Sequence, residues 1–196
     1  MDIDRELAEV FVKKLQSLDD KGYFKSIINY NLAPLIYSTK PACLLSFTKY
    51  NRDLYSLWNK YLYVVNKRNI ISFEIKRTKE AITVLFYNPA RIKRIVKDRR
   101  NVKFLETLGY NSKADLLGYL HTLKKRFKGI CPHEVAIFLG IPIDDVIGFI
   151  KNQGKGYSMC GYWKVYSNLK SAEDTFTNYD KARIKVLNKI VQDSEG

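Results

Sequence analysis

Residues 131–166 concentrate the side chains best suited to chemistry: Cys131, His133, Glu134, Lys155, Tyr157, Cys160, Tyr162, Trp163 and Lys164. A cysteine is nucleophilic as its thiolate, and a nearby imidazole can act as its base. Cys160 with His133 is therefore one candidate pair. A metal centre is a second possibility, drawing on Cys131, His133, Glu134 and Cys160. Zinc sites use closely spaced pairs of thiolates or imidazoles. Cys131-x-His133 has no matching second pair, and Cys43 and His121 are remote in sequence. The expectation is no metal, with the cysteines packed as small hydrophobes. His133 and Glu134 have a structural alternative as helix caps.

Gly154-Lys155-Gly156-Tyr157 follows a helical pattern directly. Backbone N–H groups of such a bend, with the Lys155 ammonium, can receive a phosphate or carboxylate. The structural alternative has Gly154 ending the helix and Lys155 complementing its dipole. A phosphate-cradling Walker loop precedes its helix, so this is not one, and no Gly-x-Ser-x-Gly, His-Glu-x-x-His or dinucleotide fingerprint occurs. The same block has helix-turn-helix spacing, with Ala136, Gly140 and Val146 at the small, turn and packing positions. Val135, Leu139, Ile141 and Phe149 supply the apolar contacts. Asp144 and Asp145 then occupy the turn that would face phosphates, which favours two packed helices without DNA.

Charge points to a second region. Of 196 residues with a net charge of +14, the segment from Lys60 to Lys103 holds 13 Lys or Arg against Glu74, Glu80 and Asp98. Clustered positive charge attracts anionic partners through steering and counterion release. Ile92, Ile95 and Val96 form the buried stripe of a helix after Pro89, leaving Arg91, Lys93, Arg94 and Lys97 toward solvent. Arg99, Arg100 and Lys103 extend this surface, and Lys76, Arg77 and Lys79 can join it, so that it holds a phosphate backbone without reading sequence. The nearby Tyr61, Tyr63, Phe73, Phe86 and Tyr87 fall mostly at core positions, and no RNA-binding signature accompanies them.

The elements that position these groups are predicted from periodicity. Asp4–Leu18 reads as an amphipathic helix with Leu7, Val10, Phe11, Leu15 and Leu18 on one face. Tyr23–Asn29 reads as another, broken before Pro34. Ala42–Thr48 suits a buried strand. Asn51 can cap a helix carrying Leu54, Leu57, Trp58, Tyr61, Leu62 and Val65. Ile71, Phe73 and Ile75, then Ile82, Val84 and Phe86, alternate as the two arms of an antiparallel hairpin. Pro89 opens the basic helix. Ser112 with Asp115 resembles a capping box for a helix burying Leu116, Leu120, Leu123 and Phe127, with Lys124, Lys125 and Arg126 in its last turn and Gly129 at its end. Helices over 132–139 and 142–152, a strand at Tyr162–Tyr166 and a long helix from Ser171 complete the chain.

The predicted fold is α+β: one domain over 1–196, with a small, largely antiparallel sheet of three to four strands covered by about six to eight helices. Hydrophobic content of 46% supports a core. No run reaches the roughly 18 apolar residues of a membrane span. An acidic N-terminus leading into a helix and an odd count of three cysteines point to the cytoplasm.

Pro132-His133-Glu134 with Phe138-Leu139-Gly140, Asp145-Val146 with Gly148-Phe149-Ile150, Gly154-Lys155, and Cys160-Gly161-Tyr162-Trp163-Lys164-Val165-Tyr166 together resemble a family of uncharacterised cytoplasmic proteins from anaerobic bacteria, a domain of unknown function. The match is specific from Cys131 to about Arg183. Ala33-Pro34-Leu35 and Lys40-Pro41-Ala42 resemble its N-terminal segment. The chain has Asn31-Leu32 where the family usually has a histidine before Ala-Pro, and Cys131 where an aromatic is usual. The resemblance therefore assigns no role to a histidine near Asn31, makes Cys131 no family-wide ligand, and implies no known activity or cofactor.

Three functional expectations follow. The first is a non-catalytic binding protein for an anionic small ligand or acidic partner. The second is a small enzyme or cofactor-binding protein with His133, Glu134, Lys155, Tyr157, Cys160, Tyr162, Trp163 and Lys164 around one pocket. The third is non-specific nucleic-acid binding through Lys76, Arg77, Lys79, Arg91, Lys93, Arg94, Lys97, Arg99 and Arg100.

Overall fold

A computed structural model describes residues 5–50, 52–65 and 69–192; the side chains of 5–7, 64 and 65 are not described. The fold is α+β, with a three-stranded antiparallel sheet, a separate two-stranded ribbon and nine α-helices among the described residues. Strands β1 (Ala42–Thr48), β2 (Ile71–Arg77) and β3 (Ala81–Tyr87) lie in the order β1-β3-β2. The predicted hairpin is β2–β3, and β1 pairs with the other edge of β3 from Ala42 opposite Tyr87 to Thr48 opposite Ala81. A bulge interrupts β2 between Glu74 and Lys76.

Both faces of this sheet are covered. On one face Cys43, Phe47, Ile82, Val84 and Phe86 pack against α2 (Asp20–Tyr37) and α3 (Leu54–Tyr61). On the other, Ala42, Ile75, Leu85 and Tyr87 meet α4 (Pro89–Val96), α5 (Arg99–Thr107), α6 (Leu116–Arg126) and α7 (Val135–Phe138). The central strand must then be apolar on both sides, which is why Leu85 is buried beside the alternating Ile82, Val84 and Phe86. Phe47, Trp58 and Phe86 form an aromatic cluster under α3, with Phe47 and Trp58 stacked at 4.8 Å.

Several sequence expectations are corrected. Pro34 does not break α2 but lies buried inside it. A mid-helix proline costs about 3 kcal/mol, and the burial of Phe24, Ile28, Leu32 and Leu35 offsets it. In α1 (Arg5–Ser17), Phe11 is buried whereas Val10 is 40% exposed. Asp53 caps α3, accepting from Ser56 N at 3.0 Å. Asp4 and Asn51 lie outside the described residues, as do the side chains of Leu7 and Val65. Asp115, not Ser112, caps α6 by accepting from Gly118 N, and Phe127 rather than Gly129 ends it. The helix expected after Pro89 runs to Val96, and the charges beyond it lie on a second helix, because Asp98 caps a new start at Arg99.

The C-terminal third continues through α8 (Ile143–Lys151), the ribbon β4 (Met159–Cys160) and β5 (Lys164–Val165), and α9 (Leu169–Gln192). The predicted strand at 162–166 shortens to β5, paired with a strand at Met159–Cys160 that alternation was too short to reveal. Helix α9 returns to α2, where Ala33 lies against Ala182 and Val186. Among the described residues no helix is long and apolar enough to cross a membrane.

Beside this α2–α9 seam, Lys40 is half-buried with its ammonium 4.6 Å above the Tyr179 ring. Burial holds it below the ordinary lysine value of 10.5, and the Arg183 guanidinium adds to the effect against an opposing pull from Cys43. Burial likewise pushes the Cys43 thiol up to about 11, so it is no nucleophile at neutral pH. Between the depressed folded value of Lys40 and 10.5 the unfolded chain binds more protons, so stability rises with pH there. Lys40→Met, which keeps the stem and removes the charge, is expected to stabilise the protein by about 1 kcal/mol at pH 7. That advantage should shrink as the pH is raised toward 10. Urea titrations of both proteins across this range check it, and a constant difference would refute it.

Candidate functional site

The 131–166 block is built around two turns. After α7, Gly140 adopts φ +84°, the left-handed conformation expected of the residue between the two helices. A Cβ here would also lie 2.6 Å from Pro41 Cδ, so the position is closed to other residues on two counts. After α8, Gln153 and Gly154 both take positive φ, and Gly154 N donates to Phe149 O at 2.9 Å. Two residues beyond Asn152, the C-cap of α8, Gly154 closes the helix end through this bond. Its carbonyl is taken by Lys164 Nζ at 2.8 Å, and that ammonium also lies 4.8 Å from the Tyr157 ring. Lys155 itself is exposed.

Asp145 organises the block. Only 2% exposed, it accepts through Oδ1 from Tyr166 N, Ser167 N and Ser167 Oγ, each at 2.8 Å, and through Oδ2 from Trp163 Nε1 at 2.7 Å. A carboxylate with four donors is fully satisfied, so it joins the start of α8 to the segment leading into α9. Asp144 is spent differently, in an ion pair with Arg100. Neither carboxylate is free to meet a phosphate.

Glu134 belongs to another buried network and makes no capping bond. It is 3% exposed, pairs with Arg126 Nε and accepts from Tyr110 OH at 3.3 Å. Burial and the adjacent Glu134 charge together push the Tyr110 hydroxyl far above the ordinary tyrosine range. Arg126 Nη1 also donates to Leu108 O at 3.1 Å. This lock ties the end of α6 to the start of α7.

The chemistry-bearing side chains consequently separate into two clefts. His133 and Lys164 line one of about 320 Å³, with Cys131 on its wall. Cys160 and Tyr162 line another of about 750 Å³ along α9. Trp163, 9% exposed, lies edge-on to Phe176 at 4.4 Å. The larger cleft contains its own counter-charges: Lys170 pairs with Asp174 at 3.0 Å, and Tyr162 OH donates to Asp180 at 2.7 Å. His133 and Cys160 therefore do not share a cleft as a thiol–imidazole dyad would require. Among the described residues no group of three or more His, Cys, Asp or Glu is gathered as a metal would need.

The predicted basic surface also divides. Arg91 Nη1 donates to the carbonyls of Leu35, Ser38 and Lys40, bracing the α2–β1 turn. Lys97 Nζ is held by Ser112 O and Ala114 O, and Arg100 by Asp144. Lys79, Lys93, Arg94 and Arg99 remain exposed. Among the aromatics, Phe86 and Tyr87 are core, whereas Tyr63 is 62% exposed.

A different cationic site takes shape where β2 crosses α6. Lys76, Arg77, His121, Lys124, Lys125 and Lys128 line a cleft of about 460 Å³ floored by Ile75 and Phe127, with no carboxylate on its lining. Glu74 lies beside it and neutralises Arg77 through a two-pronged pair, and Lys76 Nζ donates to Gly129 O at 3.0 Å. Lys124, 5.6 Å from the Phe73 ring, and the exposed Lys125 and Lys128 are left for a ligand. The Lys124-Lys125-Arg126-x-Lys128 run is visible in sequence, but dipole compensation accounts for it there. Its meeting with β2 across some 50 residues carries no local signal.

The molecule is thus an α+β protein with a closed core, an acid-free basic cleft and a small apolar cleft. The chain belongs to the DUF3793 family, proteins of unknown function, whose family model matches residues 28–195. No curated protein and no solved structure matches it.

Proposed function

We propose that the protein is a non-catalytic binding protein for a phosphate-bearing anionic ligand, held in the cleft between β2 and α6. The observation that carries this reading is the convergence of Lys76, Lys124, Lys125, Lys128 and His121 on one cleft that no carboxylate lines, the charge of Arg77 there being met by Glu74 beside it. Like charges brought together disfavour folding unless an anion is available to offset them. Phosphate suits the site because lysine ammonium groups act as point charges with several donors. Exposed Lys93, Arg94 and Arg99 favour a second reading, in which the ligand is a nucleic-acid backbone.

Tripolyphosphate and a labelled 20-nucleotide single strand serve as probes over a range of salt concentrations. Lys124→Gln/Lys125→Gln/Lys128→Gln is expected to weaken binding at least tenfold while leaving thermal unfolding nearly unchanged. For the strand, the slope of log K against log salt should fall by up to about 2, roughly 0.7 for each lysine that meets a phosphate. Binding of the short polyphosphate alone supports a small ligand, and binding of the strand alone supports the nucleic-acid reading. Failure of both at low salt removes the proposal.

A further inference from the structure

The cleft beside His133 has a different chemistry and carries an inference independent of the basic cleft. Val135, Ala136, Leu139, Ile141, Val146 and Phe149 form its walls, and its surface is overwhelmingly apolar. Its volume of about 320 Å³ falls within the range of small-molecule sites, which are concave, mainly apolar and furnished with a few placed polar groups. The polar groups here are His133, Lys164, the buried carboxylate of Asp145 and the thiol of Cys131. Cys131 is exposed as a residue, and partial burial of its thiol, assisted by the Glu134 charge, holds that thiol above the ordinary cysteine value.

Charge identifies what fits. Lys164 is the one lysine or arginine on the lining. An ammonium has three donors, and Lys164 uses one on Gly154 O. The carboxylate in this cleft, Asp145, accepts from Trp163, Tyr166 and Ser167 and, among the described residues, forms no ion pair with Lys164. Lys164 stands 6.0 Å from the Phe149 ring, and the His133 ring lies 5.4 Å from the same ring at 59°. An apolar body placed against Phe149 would therefore present its polar end to an ammonium with spare donors.

We infer that this cleft is a second binding site, for an amphiphilic organic acid: a compact apolar body carrying one carboxylate, the body against Phe149 and the carboxylate at Lys164. An aromatic acid and a medium-chain aliphatic acid share this chemistry, and 1-naphthoate and octanoate distinguish them as probes. Calorimetric titration of the full chain is expected to show one saturable site for at least one of the two. Ala136→Phe fills the cleft from its wall and should weaken that acid at least tenfold, with circular dichroism and melting temperature retained. Lys164→Met should weaken the acid about tenfold yet leave its neutral alcohol analogue, 1-naphthalenemethanol or octanol, unchanged. The triple glutamine variant of the basic cleft should bind the acid normally, which separates this site from the proposed function. The inference is overturned if neither acid saturates, if the folded Ala136→Phe protein binds as tightly as the parent, or if Lys164→Met weakens acid and alcohol alike.

Discussion

Asp145→Ala is expected to lower the stability of the protein by about 3–5 kcal/mol, the range for stranding buried, charge-assisted hydrogen-bond partners. The carboxylate is 2% exposed and satisfies four donors from Trp163, Tyr166 and Ser167. Removing it leaves the Trp163 indole N–H and two backbone N–H groups without their acceptors. The damage should be local first, because Asp145 joins α8 to the segment entering α9, where Trp163, Val165 and Phe176 form their own small cluster. Asp145→Asn keeps the shape but turns a donor toward a donor, and should cost about 2–3 kcal/mol. Urea denaturation followed by far-ultraviolet circular dichroism measures both losses. A loss below 1 kcal/mol for the alanine variant would show that water takes over the carboxylate's role.

Arg126→Met ranks second in expected effect. It strips the buried Glu134 of its cation, leaving Tyr110 OH at 3.3 Å as its remaining donor. Breaking one side of a buried ion pair typically costs about 3–5 kcal/mol; since the Arg126 side chain is itself 36% exposed, the lower end is expected here. The double variant Arg126→Met/Glu134→Gln strands no charge, so it should recover more than half of that loss. A double-mutant cycle from denaturant midpoints gives the coupling directly. Equal instability of the single and double variants would mean that Arg126 acts through its packing and its bond to Leu108 O instead.

These two carboxylates also show where sequence reading reaches its limit. Both stand in the block whose residue types drew attention first, and both are held in buried hydrogen-bond networks. Asp145 sits in the first turn of α8, where helix-dipole stabilisation was sufficient explanation. Its donors lie some 20 residues onward and depend on how the β4–β5 ribbon folds back. Glu134 similarly looked like a capping residue until α6 placed Arg126 beside it. The hairpin, the helix after Pro89 and the left-handed Gly140 were legible because periodicity, a fixed proline φ and a missing Cβ act within a few residues. The continuation of α2 through Pro34 was not, since it depends on burial supplied by distant elements.

The sequence by itself determined the α+β class, the β2–β3 hairpin, the family and the excess of positive charge. Each is a property of short-range pattern or of composition, and survives whatever the chain packs against. Only the tertiary structure decided which charges remain available. Folding consumed Arg91, Lys97 and Arg100 on carbonyls and Asp144, and brought Lys124, Lys125 and Lys128 to Lys76 and Arg77. It also parted His133 from Cys160 and left Lys164 beside an apolar cleft. The physical reason is common to all three: a side chain's partners are set by three-dimensional proximity, and long-range packing brings together residues that no local period relates.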